Sequence, residues 1–316
     1  DDLQEYSKKN KIKSLGLCDT SNLCGALEFA EKISKSGTQP IIGTQINFKI
    51  TETTGLLPLF ALNEAGYKNI IKLSSLSYLE NDELSDPHVD FELLLTNCKG
   101  IAVFSGTVFG LFGKLFDKGK FSEIDDLYNK IKNTFDDRFY LEIQRHNDQN
   151  EIGFEKFNLK KSLDLEIPII ATNEVFYLDK EMYEAHDALI CIGNKTYVNE
   201  KNRLRFTDQH YLKTNSEMSE LFADLPEALE NNYNFPLRCN YRPLFSNPIL
   251  PNISSDKDGN ADEILKKDSI EGLKVKFNKI FNLSDEDLEN NNSYKEYKDR
   301  LNHELSIIVE MKYSSY

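Results

Sequence analysis

Apolar residues fall into two rhythms along the first two-thirds of this chain. Short runs rich in Ile, Leu, Val, Phe and Tyr, bounded by polar residues or Gly, read as strands over 14–19, 39–50, 57–62, 101–105, 138–144 and 167–172. Between them apolar positions recur every three or four residues, as on one face of a helix. Ile124, Leu127, Tyr128 and Ile131 show the spacing. It predicts helices over 22–35, 64–79, 121–135, 154–165 and 180–192, the first of them side-chain capped at its start. Alternation of strand and helix predicts a mainly parallel sheet covered by helices. No GxGxxG follows a strand and no GxxxxGK[ST] occurs, so an open nucleotide-binding sheet loses ground to a barrel.

After about residue 195 the rhythm changes. Residues 216–222 and 226–233 read as two short helices, the second opening on Pro226, whose missing N–H is no loss in a first turn. Residues 240–251 carry three prolines and read as an extended crossing; 252–261 read as a polar linker. The tail, 262–281 and 294–311, is helical and charged and has no strand of its own. A domain boundary is expected near residue 252, with 1–252 on one side and 253–316 on the other.

Composition narrows the class. With 316 residues, 40% of them hydrophobic and 20 of them Phe, the chain can bury one large core and part of a second. The net charge of −14 disfavours tight binding of nucleic acid by this piece alone, since phosphate contacts need clustered Lys and Arg. Cys18, Cys24, Cys98, Cys191 and Cys239 form no CxxC pair and no zinc-type spacing, which suits a reducing cytoplasm. No apolar run reaches the roughly 20 residues needed to span a membrane. Opening on Asp1 and stopping abruptly after Met311-Lys312-Tyr313, the sequence reads as a piece of a longer protein.

Barrel enzymes place their chemistry at the carboxyl ends of the strands. Those positions hold Asp19-Thr20, Gln45, Ser105-Gly106-Thr107, Gln144-Arg145-His146 and Thr172-Asn173-Glu174. All are polar and all follow apolar runs, although strands leaving a core show some of this without any site. Asp19 suits capping of the next helix as well as chemistry. His186 and His303 fall in helical segments as packing or surface residues, and His88 and His210 fall in loops with no role assigned.

Four stretches, in this order, resemble the PHP (polymerase and histidinol phosphatase) domain of bacterial DNA polymerase III alpha subunits, the C-family replicative polymerases. They are Cys18-Asp19-Thr20-Ser21-Asn22-Leu23-Cys24-Gly25, Pro40-Ile41-Ile42-Gly43, Tyr140-Leu141-Glu142-Ile143-Gln144 and Ala171-Thr172-Asn173-Glu174-Val175-Phe176-Tyr177. Asn63-Glu64-Ala65-Gly66-Tyr67-Lys68-Asn69, Tyr211-Leu212-Lys213, Glu217-Met218 and Leu221-Phe222-Ala223-Asp224-Leu225-Pro226-Glu227-Ala228 are similar too, so the resemblance runs through essentially the whole chain. It implies an α/β fold, a PHP-type distorted (β/α)7 barrel over 1–252 lacking its first strand. Residues 253–316 would then be a helical lead-in to the polymerase palm and thumb region.

The same resemblance says where chemistry should sit. Metal-binding PHP domains hold several ions on His, Asp, Glu and sometimes Cys at the strand tips, and hydrolyse phosphoesters with them. Their HxH pair would precede Asp1. Where they carry His after the Asp of the second motif, this chain has Thr20; where they carry Glu after the Ile-Gly turn, it has Gln45. The Cys or His expected after Ser105-Gly106 is Thr107, and the closing Asp-x-His pair is Glu174 and Phe176. His146 is kept. Only His146 and Glu174 are left as metal donors, vestigial ligand positions rather than a cluster, and His146 serves equally well as a hydrogen-bonded polar residue.

For the longer protein the resemblance implies DNA-directed DNA polymerase activity with Mg²⁺ held outside this segment. The expected partners are a proofreading exonuclease subunit, a sliding clamp and other replisome subunits, with primer-template DNA and dNTP as substrates, in the cytoplasm and away from membranes. The PHP domain itself is expected to be a catalytically degraded scaffold. Two alternatives are a PHP domain that retains metal-dependent phosphoesterase or 3′→5′ exonuclease activity, and a free-standing phosphatase.

Overall fold

The structure is a computed structural model that describes residues 1–81, 85–247, 260–288 and 290–315. The chain divides into two compact units, Asp1–Phe245 and Ser246–Tyr316.

In the first unit α1 (Asp2–Lys9) leads into β1 (Ser14–Thr20), α2 (Ala26–Lys35), β2 (Gln39–Ile50), β3 (Thr53–Ala61) and α3 (Glu64–Leu79). Then follow β4 (Val89–Asp90), α4 (Phe91–Thr96), β5 (Ile101–Phe104), α5 (Leu111–Asp117), α6 (Phe121–Phe135) and β6 (Phe139–Ile143). The unit closes with α7 (Gln149–Leu165), β7 (Ile169–Ala171), α8 (Tyr183–Asn194), α9 (Asn215–Leu221) and α10 (Pro226–Asn234). The strands form one sheet in the order β1-β2-β3-β5-β6-β7, with β4 added beside β2. β3 alone runs against its neighbours β2 and β5, so the carboxyl ends of β1, β2, β5, β6 and β7 share one rim. The expected α/β architecture is borne out, as a mixed sheet flanked by helices.

Alternation along the strands sorts the side chains onto two faces. Leu57, Leu59, Val103, Leu141 and Ile143 pack outward in the main core beneath the helices. Ile41, Phe104, Tyr140 and Ile170 line the inner face with Phe235 and Cys239. Phe60 lies there too, with its ring 4.7 Å from Phe104. Its course across the sheet needs Gly43: a Cβ there would stand 2.5 Å from the Leu59 carbonyl oxygen and 2.6 Å from the Phe60 ring. The chain after α10 plugs the amino end of the strands. Gln39 Nε2 donates to the carbonyls of Pro236 at 2.9 Å and Cys239 at 2.8 Å, and Arg238 donates to Tyr140 Oη at 2.6 Å. With that end filled by aromatic rings, the polar rim at the other end is left as the place for chemistry.

Several elements depart from the sequence expectation for identifiable reasons. β3 begins at Thr53 because β2 and β3 form a tight hairpin, Ile50 pairing with Thr53, so the sheet is less parallel than alternation alone predicts. α7 begins at Gln149, where Asp148 and Glu151 form a capping box. α2 begins at Ala26 with Gly25 at its N-cap and no side-chain cap, so Asp19 does not cap it. Asn22 Oδ1 instead accepts from the Cys24 amide at 3.0 Å.

The second unit comprises α11 (Ala261–Phe281), α12 (Asp285–Leu288) and α13 (Asn292–Glu310) around Phe277, Leu288 and Tyr294. Residues 240–247 carry neither helix nor strand. The rest of the expected crossing, 248–251, and most of the expected linker, 252–259, lie outside the described residues.

Candidate functional site

Along the inner face β6 changes character one step from its end. Tyr140 belongs to the aromatic layer, and the next inward residue is Glu142, only 6% exposed. Its Oε1 accepts from Gln144 Nε2 at 3.0 Å and from the Thr172 hydroxyl. Its Oε2 is buried without a hydrogen-bond partner. Burial pushes the Glu142 carboxyl up to about 7; Thr172 and Gln144 pull against the rise and the Glu174 charge adds to it. The Gly106 backbone exerts the smallest pull, also downward.

Burial, with the charges of Glu142, Asp19 and Glu174, also drives the Cys18 thiol well above its ordinary value. That direction favours the thiol over the thiolate form of Cys18. Burial likewise raises Asp19.

The remaining strand tips bind one another. Gln45 Nε2 donates to Thr20 Oγ1 at 3.1 Å, joining the ends of β1 and β2. Thr107 Oγ1 accepts from the Phe109 amide at 3.1 Å, a local turn contact. Arg145 turns away from the inner face: it forks onto Glu155 of α7 and Asp224, and its guanidinium lies 4.9 Å from the Phe222 ring centroid.

His146 is 2% exposed and is held by the capping box of α7. Glu151 accepts from His146 Nδ1 at 2.9 Å and from its backbone amide at 2.7 Å. A carboxylate on Nδ1 is the usual support of a metal-binding imidazole. Here Nε2 is engaged as well, accepting from the Glu174 amide at 3.2 Å, which assigns the ring proton to Nδ1. His210 stacks flat on His146 with centroids 4.0 Å apart and donates from Nδ1 to the Glu174 carbonyl at 3.1 Å. Two stacked imidazoles thus grip the two ends of one residue's backbone. Burial, with His146 next to it, lowers His210 to about 3, so that ring stays neutral across the physiological range.

Glu174 is itself raised by burial, while His146 and Gln45 pull it down. Phe176, two residues on, stacks on His210 at 4.9 Å and on His186 of α8 at 5.1 Å. Of the residues singled out from sequence, the structure therefore brings together Thr20 with Gln45, and His146 with Glu174. Thr107 is satisfied in its own turn.

Glu142, Cys18 and His210 belong to the same rim and were not singled out as site residues. Glu142 did leave a signal, as the one charged residue in the wholly buried strand Phe139–Ile143. His210 left none, because only folding carries its loop onto His146.

The residues present do not fit a multinuclear metal cluster. Phe176 has no donor atom, both His146 nitrogens are engaged, and a cluster needs several anionic or imidazole ligands to offset ion dehydration. Among the described residues no group of three or more His, Cys, Asp or Glu is arranged to hold a metal ion. Nor is any helix among them long and apolar enough to cross a membrane.

Residues 1–146 match the PHP domain family. The DNA polymerase III subunit alpha of Rickettsia conorii is 36% identical over 314 residues, covering 99% of this chain and 26% of the relative. That of Caulobacter vibrioides is 35% identical over 324 residues, covering 100% of this chain and 28% of the relative. That of Pseudomonas aeruginosa is 30% identical over 309 residues, covering 96% and 26%. The chain spans about a quarter of the length of these curated relatives. Along nearly its whole length the chain is similar to DNA polymerase III alpha subunits, and its first 146 residues match the PHP domain.

Proposed function

We propose that the chain is the amino-terminal part of a DNA polymerase III alpha subunit, an enzyme that transfers deoxynucleoside monophosphates from dNTP to a primer 3′ hydroxyl as directed by a template. The observation that carries the reading is similarity along 96–100% of the chain to alpha subunits of three distinct bacteria. Mg²⁺, held in a polymerase palm outside residues 1–316, would activate the primer hydroxyl and stabilise the departing pyrophosphate. Cytoplasmic location and contacts with a sliding clamp, other replisome subunits, primer-template DNA and dNTP follow from that role.

Within the subunit, residues 1–252 act as a PHP scaffold, and 253–316 lead into the polymerase core. His146 and Glu174 are vestigial ligand positions turned to a structural use, which the doubly engaged imidazole supports. The expected partner of the scaffold is a separate proofreading exonuclease subunit, because a rim whose polar groups bind one another has little left for hydrolysis. Two assays test the reading together. The longer protein that contains this chain should extend a primed template only with Mg²⁺ and dNTP, and the 316-residue chain should bind the purified exonuclease subunit. Failure of primer extension would remove the polymerase assignment; extension without exonuclease binding would remove the docking role alone.

A further inference from the structure

Between α8 and α9 the chain runs from residue 195 to 214 with no helix or strand beyond a single bridge of Tyr211 to Tyr177. Unstructured connections longer than about 12–15 residues are uncommon in compact domains and are usually functional. This one is pinned. The Arg203 side chain, 3% exposed, forks onto the Asp187 carboxylate of α8, 5% exposed, through two contacts of 2.6 Å. The same guanidinium donates to the carbonyls of Val198 at 3.1 Å and Leu204 at 3.2 Å, and Tyr183 Oη donates to the Phe206 carbonyl at 3.2 Å.

A buried ion pair of this kind gives little net stability, since desolvation offsets its attraction, but it does fix a geometry. What it fixes is apolar and open to solvent. Leu189 is 63% exposed and Ile192 74% on α8; Tyr197 is 74%, Val198 60% and Leu204 56% exposed on the loop. Large exposed apolar patches mark interaction sites. Permanent interfaces are more apolar than those between subunits that exchange, and about three-quarters of each relative's length lies outside the match to this chain.

We propose that the face formed by α8 and the 195–206 loop is a permanent docking surface for polypeptide of the same longer protein that follows residue 316. The inference rests on the reading of the chain as part of an alpha subunit. Its occupant is an apolar protein surface covering Leu189, Ile192, Tyr197, Val198 and Leu204, joined for good to this chain rather than an exchangeable subunit.

Amide exchange over residues 183–206, measured in the 316-residue chain and in the longer protein, tests it. Exchange should slow roughly tenfold or more in the longer protein. Leu189→Asp with Ile192→Asp should leave the melting temperature of the 316-residue chain unchanged and lower that of the longer protein. Equal exchange in both proteins, or protection that arises only when purified exonuclease subunit is added, would overturn the proposal. A longer protein that polymerises while leaving 183–206 unprotected contradicts this inference alone. Absence of polymerisation contradicts the functional reading beneath it.

Discussion

Replacing Glu142 by Gln should stabilise the protein by up to about 3 kcal/mol at about pH 8, and change it little below about pH 4. The carboxyl titrates near 4.5 in an unfolded chain and near 7 when folded, because burial penalises its charge. Between those values the folded protein holds a proton that the unfolded chain has released. Wild-type stability therefore falls as pH rises from about 4.5 to 7 and stays lower above it. Gln carries no charge and keeps an oxygen for Thr172 and Gln144, so the variant loses that slope; its amide nitrogen inherits the unpartnered position of Oε2. Urea unfolding of both proteins across this range reads the difference. A variant less stable than wild type at about pH 8 would show that the Glu142 carboxylate is held charged by a partner, and would count against a spent site.

Gly66→Ala should cost roughly 3–5 kcal/mol and lower the melting temperature by about 10 °C. The first turn of α3 rests on the bend before β5, and a Cβ on Gly66 would stand 1.8 Å from the Gly100 carbonyl oxygen. Backbone atoms must move to admit it, and Gly100 itself has φ +72°. Asn63 caps the same turn by accepting from the Gly66 amide at 3.0 Å. Gly153→Ala in α7 is the control, since its Cβ would meet only the Phe116 ring at 3.5 Å. It should be neutral or stabilising by a few tenths of a kcal/mol. Equal melting of the two variants would contradict the close approach. The stretch Asn63-Glu64-Ala65-Gly66 thus resembles its family through a packing requirement, with no chemistry attached.

The sequence was legible where pattern and local signals agree. β2 and α3 match their expected bounds, 39–50 and 64–79, because long apolar patterns coincide with a strand-ending turn and an Asn cap. The start of β3 was hidden because its hairpin turns through Thr51-Glu52, without the Asn-Gly or Asp-Gly that marks two-residue loops. α1, α4 and α5 are too short, at 8, 6 and 7 residues, for a helical period to stand out. At the site, the strand tips located Thr20, Gln45, His146 and Glu174. They could not show that Glu151 holds His146, that His210 stacks on it, or that Glu142 is left with an unpaired oxygen. Those are contacts between elements, and strand phase and burial decide them after folding.

On the proposed scaffold role, this rim performs no metal-dependent hydrolysis. The direct test is metal content after exposure to Zn²⁺, Mn²⁺ and Mg²⁺, with hydrolysis of a DNA 3′ end measured alongside, on this chain and on the longer protein with its native amino terminus. At most one weakly held ion at the rim, and no metal-dependent turnover there, is the expected result. Two or three tightly held ions, with release of nucleotides from the 3′ end, would contradict it and make the domain a built-in proofreader.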